Sequence, residues 1–455
     1  MVDEQEWQTR RDRINKRLQT LNPPWSIVKY SDELDPAALT RHAVEEYPTA
    51  NGPADYALFV NGRLLAIIEA KKVRVGPQNV LEQAKRYAKG VFNNLGAWNG
   101  YKVPFLYASN GEAIWFLDVR DSKNISRRIS SFHTPDALTE CFEDDITAGY
   151  NALQNHPPII KNLRPYQQEA VQSIETAIAK RKRAMLLAMA TGTGKTFTIV
   201  SLIYRLLEAK AARRILFLVD RRALAAQAVR ELAAFTTPKG SKFNKEYEVY
   251  SQRFRKEDLD EDKPFDSRVL PNEYLTAPNA THTFVYVCTI QRMTINLFGW
   301  EHAFAQPESD PDYEADTSQL DIPIHAFDVI IADECHRGYT ARETAVRRQT
   351  MNYFDAVKIG LTATPAAHTL ALFREVVHRY TTEQAIEEGY LVDYDAVKIA
   401  SNIRMNGVFL KPGESVGIVD TETGDEAYDE LEDEREFGTQ EIEQKVTAPE
   451  SNRKI

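Results

Sequence analysis

Cysteine is scarce in this chain of 455 residues. The three present, Cys141, Cys288 and Cys335, are scattered. That excludes a disulfide framework and metal-ligand spacing, and it fits a reducing compartment. Long hydrophobic runs are also missing, so no stretch predicts a helix spanning a bilayer. The opening residues, Met1-Val-Asp-Glu-Gln-Glu-Trp7, lack the apolar core of a secretory signal. The expectation is a cytoplasmic protein with no membrane association. No internal repeat is visible. Positive charge is not in excess either: the net charge is −10. Residues 414–443 hold thirteen acids and one base, −12 in all, which leaves the rest of the chain near +2. The acidic run reads as a solvated hairpin or a linker, and basic residues elsewhere are still able to gather on one face. With 43% hydrophobic and 27% charged residues, the chain is of ordinary globular composition and long enough for two or three domains.

What stands out is Met185-Leu-Leu-Ala-Met-Ala-Thr-Gly-Thr-Gly-Lys-Thr196. An apolar strand-like run passes into Thr191, Gly192, Thr193, Gly194, Lys195 and Thr196, and a helical pattern follows from Phe197. Strand, glycine turn and helix in that order form a phosphate-binding loop, where backbone N–H groups and the helix N-terminus face the anion. Lys195 is expected to reach the β- and γ-phosphates of ATP, and the Thr196 hydroxyl to ligate Mg²⁺. The position of the usual first glycine holds Met189 instead.

A second apolar run, Val329-Ile-Ile-Ala332, ends in Asp333-Glu334-Cys335-His336. A carboxylate at such a strand end holds the hydrated metal of a nucleotide, and its neighbour polarises the attacking water. Asp333 is therefore assigned to Mg²⁺ and Glu334 to water activation. Between and beyond these motifs, strand-like and helix-like runs alternate from residue 163 to about 390, which predicts an α/β fold with a parallel sheet. Two polar segments, roughly 236–282 and 305–323, interrupt the pattern and are expected on the surface.

The first part of the chain reads as a smaller α/β unit. Residues 1 to about 20, with Arg10, Arg11, Arg13, Lys16 and Arg17, predict a surface helix that is open to a DNA contact. Tyr56–Val60 and Leu64–Ile68 predict two strands joined at Asn61-Gly62. A helix over about 79–91 and strands at Phe105–Ala108 and Ala113–Leu117 complete the unit. Side chains alternate along a strand, so Glu69 and Lys71 share a face, and the hairpin brings Asp55 back towards them. Two carboxylates suit Mg²⁺, and a lysine beside them supports the attacking water or the developing phosphorane charge. Gln83 and Tyr87 lie one helical turn apart.

The ordered set Leu163-Arg-Pro-Tyr-Gln167, Thr191–Thr196, Leu216–Arg221, Cys288–Gln291, Asp333–His336 and Thr362-Ala-Thr364 resembles superfamily 2 DNA helicases and translocases. That resemblance implies that Gln167, with Arg164 nearby, reads the adenine edge. It also implies that Asp220, Arg221 and Thr289 lie near the DNA backbone, and that Thr362 and Thr364 relay the nucleotide state. Asp55, then Glu69-x-Lys71, then Gln83-x-x-x-Tyr87 resembles the PD-(D/E)xK nucleases, with Ala54 in place of the usual proline. Together the two parts resemble the restriction and motor (R) subunit of a type I restriction–modification enzyme.

The resemblance implies a restriction-endonuclease-like α/β domain over 1–155 and a first RecA-like domain over 156–390. An acidic connector over 391–455 would follow, with the start of a second RecA-like domain, so an N-terminal fragment or a truncated gene product is the expectation. It further implies ATP-driven translocation on double-stranded DNA, cleavage at distant positions, and partners. Those are a specificity (S) subunit that reads the site and a methyltransferase (M) subunit that uses S-adenosylmethionine not bound by this chain. A type III-like restriction subunit, a stand-alone helicase–nuclease and a non-enzymatic ATP-binding assembly module are the alternatives.

Overall fold

In a computed structural model the chain divides into two compact units, residues 1–391 and 392–455. The structure describes residues 6–72, 81–92, 96–157, 160–254, 268–302, 318–333 and 341–393, together with four short strands beyond 393.

Two sheets organise the first unit. The first has seven strands in sequence order: β1 (Ser26–Lys29), β2 (Arg41–Tyr47), β3 (Ala54–Val60), β4 (Arg63–Ala70), β5 (Phe105–Ser109), β6 (Ile114–Asp118) and β7 (Arg127–Ile129). β3 and β4 form the expected hairpin. Asn61 at φ 50° and Gly62 at φ 76° make the left-handed turn that matches strand twist. β4 and β5 run parallel, which requires a crossover, and the helix Leu81–Lys89 lies between them in sequence. Short, charged β1, β2 and β7 lack the apolar alternation that makes a strand legible.

The second sheet is wholly parallel, in the order β11-β10-β12-β9-β13-β14-β8-β15. Its strands are β8 (Ala184–Met189), β9 (Arg214–Val219), β10 (Glu248–Ser251), β11 (Arg268–Val269), β12 (Phe284–Thr289), β13 (Val329–Ala332), β14 (Val357–Thr362) and β15 (Val376–Tyr380). Central strands such as β9 and β12 are buried at every residue because both faces are covered, one by each of two hydrophobic clusters. The surface placement expected for 236–282 is corrected here. β10 and β11 extend the sheet, and Phe243, Leu270 and Leu275 are buried. Strands of four and two residues carry too little periodicity to betray themselves. The second polar segment is described only from 318, and there Ile322 is buried.

The N-terminal helix is also less superficial than expected. Glu6–Thr9 and Lys16–Gln19 flank a π-helical stretch, Arg10–Asn15, and Ile14 and Leu18 join the core of the first sheet.

The two sheets meet at the start of the parallel strands. Asp355, two residues before β14, receives two hydrogen bonds from Arg127 of β7, at 2.6 and 2.8 Å, and one from Arg183 before β8 at 2.8 Å. His133 Nε2 is 3.1 Å from it. Nearby, Arg214 at the start of β9 pairs with Glu140 at 2.7 Å. Asp328, just before β13, accepts from the backbone N–H groups of Arg213 and Arg214. Ile324 packs into the core of the first sheet.

The second unit carries two antiparallel pairs, β16 (Val408–Leu410) with β19 (Arg435–Phe437) and β17 (Ser415–Val419) with β18 (Glu426–Glu430). Its acidic run is thus hairpin-like in part.

Burial pushes the Asp355 carboxyl up, but the charges of Arg127 and Arg183 and the hydrogen bonds from His133 and Arg127 outweigh it, so the group lies well below the usual range. A depressed folded pKa stabilises above the unfolded value of about 3.9, and that stability is lost as pH falls through the folded pKa. Asp355→Asn should cost on the order of 3 kcal/mol in denaturant unfolding at pH 7, because it strands buried cations. The variant should also lose less further stability than the wild type below about pH 4.

Candidate active sites

In the first sheet, strand register assembles the acidic cluster. Tyr56 pairs with Ile68, so Asp55 on β3 stands opposite Glu69 on β4, one residue further on. Asp55 Oδ2 accepts from the Ala70 N–H at 2.7 Å. Lys71 continues the ladder by donating its N–H to Ser109 O at 2.9 Å, and its Nζ lies 2.8 Å from Glu69 Oε1. Their side chains are 13% (Asp55), 2% (Glu69) and 20% (Lys71) exposed. Two carboxylates and no sulfur or imidazole make a hard oxygen donor set. That fits Mg²⁺, which keeps waters and needs one or two carboxylates from the protein. Among the described residues no group of three or more His, Cys, Asp or Glu is placed to hold a metal, so a softer, all-protein site is not formed there.

The Leu81–Lys89 helix brings Gln83 and Tyr87 alongside. Gln83 Nε2 donates to the Tyr87 hydroxyl at 3.0 Å. The helix is tied to the turn that leads into Asp55: Asn51 Nδ2 donates to Arg86 O at 2.7 Å, and the Ala50 N–H to Gly90 O at 2.8 Å. The helix that carries this pair is thereby anchored to the segment leading into Asp55.

Sequence reasoning missed Arg10 and Glu46. Arg10 Nη1 donates to Glu46 Oε1 at 2.7 Å and to Asp55 Oδ1 at 3.0 Å. Burial lowers the Arg10 pKa, but the Glu46 hydrogen bond and the Asp55 charge outweigh it and raise the group above its ordinary value. A basic helix in sequence gives no hint of which arginine turns inward.

In the second sheet, all strands point the same way, so every strand end carries its motif to one edge. β8 enters the loop, and α-helical backbone resumes at Lys195. Gly192 and Gly194 adopt φ of 84° and 78°, conformations that side chains avoid. Met189 is a buried strand residue paired with Tyr380, so the loop begins after it and needs no glycine there. Lys195 Nζ lies 3.4 Å from Met189 O, folded back over the loop. Thr193 is buried and Thr191 exposed; Thr196, half-buried, follows Lys195 in the first helical turn.

Asp333 follows β13, its N–H bonded to Leu218 O at 2.9 Å. β14 alone separates β13 from β8, so the strand ends are two spacings apart, about 10 Å, room for phosphates and a hydrated cation. Thr362 ends that intervening strand, fully buried, and its hydroxyl accepts from the Thr364 N–H at 3.1 Å. Glu334, Cys335 and His336 lie outside the described residues.

Other expected contacts turn inward. Gln167 is buried, and its amide donates to Thr193 O at 3.0 Å. Its oxygen accepts from the Arg164 N–H at 2.9 Å. These bonds brace the loop from the third residue of the helix Pro165–Ala179. Arg164 instead lies over the Tyr390 ring at 4.8 Å, while Tyr166 stacks on Tyr380 at 3.9 Å. Asp220 pairs with Arg347 and, at 3.9 Å, with Arg221, whose side chain remains 69% exposed. Thr289, 5% exposed, caps the helix Ile290–Phe298 and receives no solvent-facing role from its hydroxyl.

A Cβ at Gly194 would meet Gln167 Nε2 at 2.5 Å. Gly194→Ala should lower stability by about 2 kcal/mol, from left-handed strain and from the displaced glutamine. Adding Gln167→Ala should relieve only the steric share; an additive double variant in denaturant unfolding would contradict this contact.

Comparisons with known proteins follow the two sheets. Residues 26–142 match the family model "Type I restriction enzyme EcoKI endonuclease subunit second domain", and residues 160–367 match "Type III restriction enzyme, res subunit". The EcoKI type I endonuclease subunit of Escherichia coli K12 is 30% identical over 94% of this chain and 38% of that protein. The EcoAI subunit of Escherichia coli is 28% identical over 78% of this chain and 38% of its own length. A solved structure of the Type ISP restriction–modification enzyme LlaGI with a DNA substrate mimic covers 50% of this chain and 21% of that one, at 21% identity and a TM-score of 0.34, too low to bear on function. No helix among the described residues is long and apolar enough to cross a membrane. The chain spans about 38% of the curated relatives it matches, and over that span it is similar to type I restriction-enzyme endonuclease subunits.

Proposed function

We propose that this chain is the nuclease and motor portion of a type I restriction–modification enzyme, which cleaves double-stranded DNA after ATP-driven translocation. The observation that carries the reading is the pairing of Asp55 and Glu69 across β3 and β4, with Lys71 Nζ 2.8 Å from Glu69, on a sheet joined to a wholly parallel one bearing a phosphate loop.

At the nuclease site Asp55 and Glu69 would hold Mg²⁺. When bound, that ion polarises a scissile phosphate and makes a hydroxide-like nucleophile available near neutral pH. Lys71 orients the Glu69 carboxylate and offers positive charge to the developing phosphorane. Gln83 and Tyr87 position the approach to Asp55 and the neighbouring DNA.

At the motor site the N–H groups of Thr191–Thr196 surround the ATP phosphates, and Lys195 neutralises the β- and γ-phosphates. Thr196 and Asp333 would hold Mg²⁺, and Glu334 would polarise the attacking water. Gln167, with Arg164 nearby, would read the adenine edge. Thr362 and Thr364, bonded to each other and set between β8 and β13, connect nucleotide state to the DNA side, where the exposed Arg221 faces the backbone and the partly buried Asp220 and the buried Thr289 support it from behind. Site reading is left to a specificity subunit, and methylation to a methyltransferase subunit with its S-adenosylmethionine. The domains are read as 1–155, 156–390 and 391–455. The type III description matched by 160–367 would favour a type III-like reading of the motor alone, but the match over 26–142 favours type I.

In the assembled enzyme, Glu69→Gln should abolish DNA cleavage, by at least about 100-fold, and leave ATP hydrolysis intact. Lys195→Ala should stop both, since distant cleavage depends on translocation. Cleavage surviving Glu69→Gln would move the nuclease elsewhere in the chain; loss of ATPase in that folded variant would refute two separate sites.

A further inference from the structure

Arg10 is the residue at the first site that neither motif accounts for. It begins a π-helical stretch, Arg10–Asn15, a geometry that is rare and concentrates at functional positions. One nitrogen, Nη1, is shared between Glu46 Oε1 at 2.7 Å and Asp55 Oδ1 at 3.0 Å. Glu46 faces Asp55 across the strands, because the pairs Glu45–Tyr56 and Tyr47–Ala54 flank them. Glu46 also sits at φ 57° within a strand, a left-handed conformation that persists in an ordinary residue only where its surroundings enforce it. The other Asp55 oxygen is bonded to the Ala70 N–H at 2.7 Å.

A cation entering between Asp55 and Glu69 would meet a guanidinium 3.0 Å from one of its ligand atoms. The Arg10 and Asp55 side chains are only 16% and 13% exposed, so water screens the repulsion weakly. Glu46, 60% exposed, provides a second anchor outside the metal position.

We propose that Arg10 is a positioning residue that competes with the divalent cation for Asp55 and, once displaced, is kept by Glu46 facing the DNA phosphate. The inference rests on the nuclease reading above. Arg10 neutralises a carboxylate cluster that would otherwise repel itself and the DNA while no metal is bound. After the exchange its planar fork suits a phosphodiester, which guanidinium groups bind in two-point fashion.

The test uses the 455-residue chain without nucleotide, titrated with Mn²⁺ as the probe, free ion being read by electron paramagnetic resonance. Arg10→Gln should bind Mn²⁺ about ten-fold tighter, the worth of one charge-assisted hydrogen bond. Glu46→Gln, which leaves Arg10 to Asp55 alone, should bind it more weakly, and only when Arg10 is present. In the assembled enzyme Arg10→Gln should nevertheless cleave DNA more slowly, and Arg10→Lys should recover part of that rate. Unchanged or weaker Mn²⁺ binding by folded Arg10→Gln, with binding abolished by Asp55→Asn, would overturn the exchange alone. Binding indifferent to Asp55→Asn and Glu69→Gln as well would overturn the nuclease reading beneath it.

Discussion

One buried carboxylate joins the two sheets of the first unit. Asp355 is held by Arg127 and His133 from the first sheet and by Arg183 from the second, and its side chain is 5% exposed. A buried ion cluster of this kind is costly to assemble and costly to break, so it fixes geometry more than it adds stability. Because Asp355 lies at the base of β14 and Arg183 at the base of β8, the first sheet docks against the starts of the very strands whose ends carry Thr362 and the phosphate loop.

A parallel sheet has two unlike edges, and this protein uses both. The ends of β8, β9, β12, β13 and β14 gather the motor motifs, as open α/β sheets generally do for ligands. The opposite edge serves as a platform. The proposed nuclease and the proposed ATP site are thereby carried on separate sheets of a single compact unit.

Legibility in the sequence tracked how local each signal was. The Asn61-Gly62 hairpin, the strand before Thr191 and the apolar run before Asp333 are set by neighbours in the chain, and all three lie where their spacing predicts. β10, β11 and β1 are too short for periodicity, and pairing alone makes them strands. The same limit governs the sites. The proximity of Asp55, Glu69 and Lys71 could be read ahead because a hairpin has fixed register. Arg10 and Glu46, thirty-six residues apart, meet Asp55 only through tertiary packing. Gln167 shows the converse: its motif was legible, but its contacts, to Thr193 O and the Arg164 N–H, are those of a brace for the loop.

Locating bound metal along the backbone would distinguish one metal site in this unit from two. With Fe²⁺ in place of Mg²⁺ and peroxide added, hydroxyl radicals cut the chain next to the ion. The account predicts cuts around Asp55 and Glu69–Lys71 without nucleotide, and further cuts around Thr196 and Asp333 only when ATP is present. Cutting confined to the phosphate loop, or absent from the β3 and β4 strand ends in the nucleotide-free protein, would contradict it.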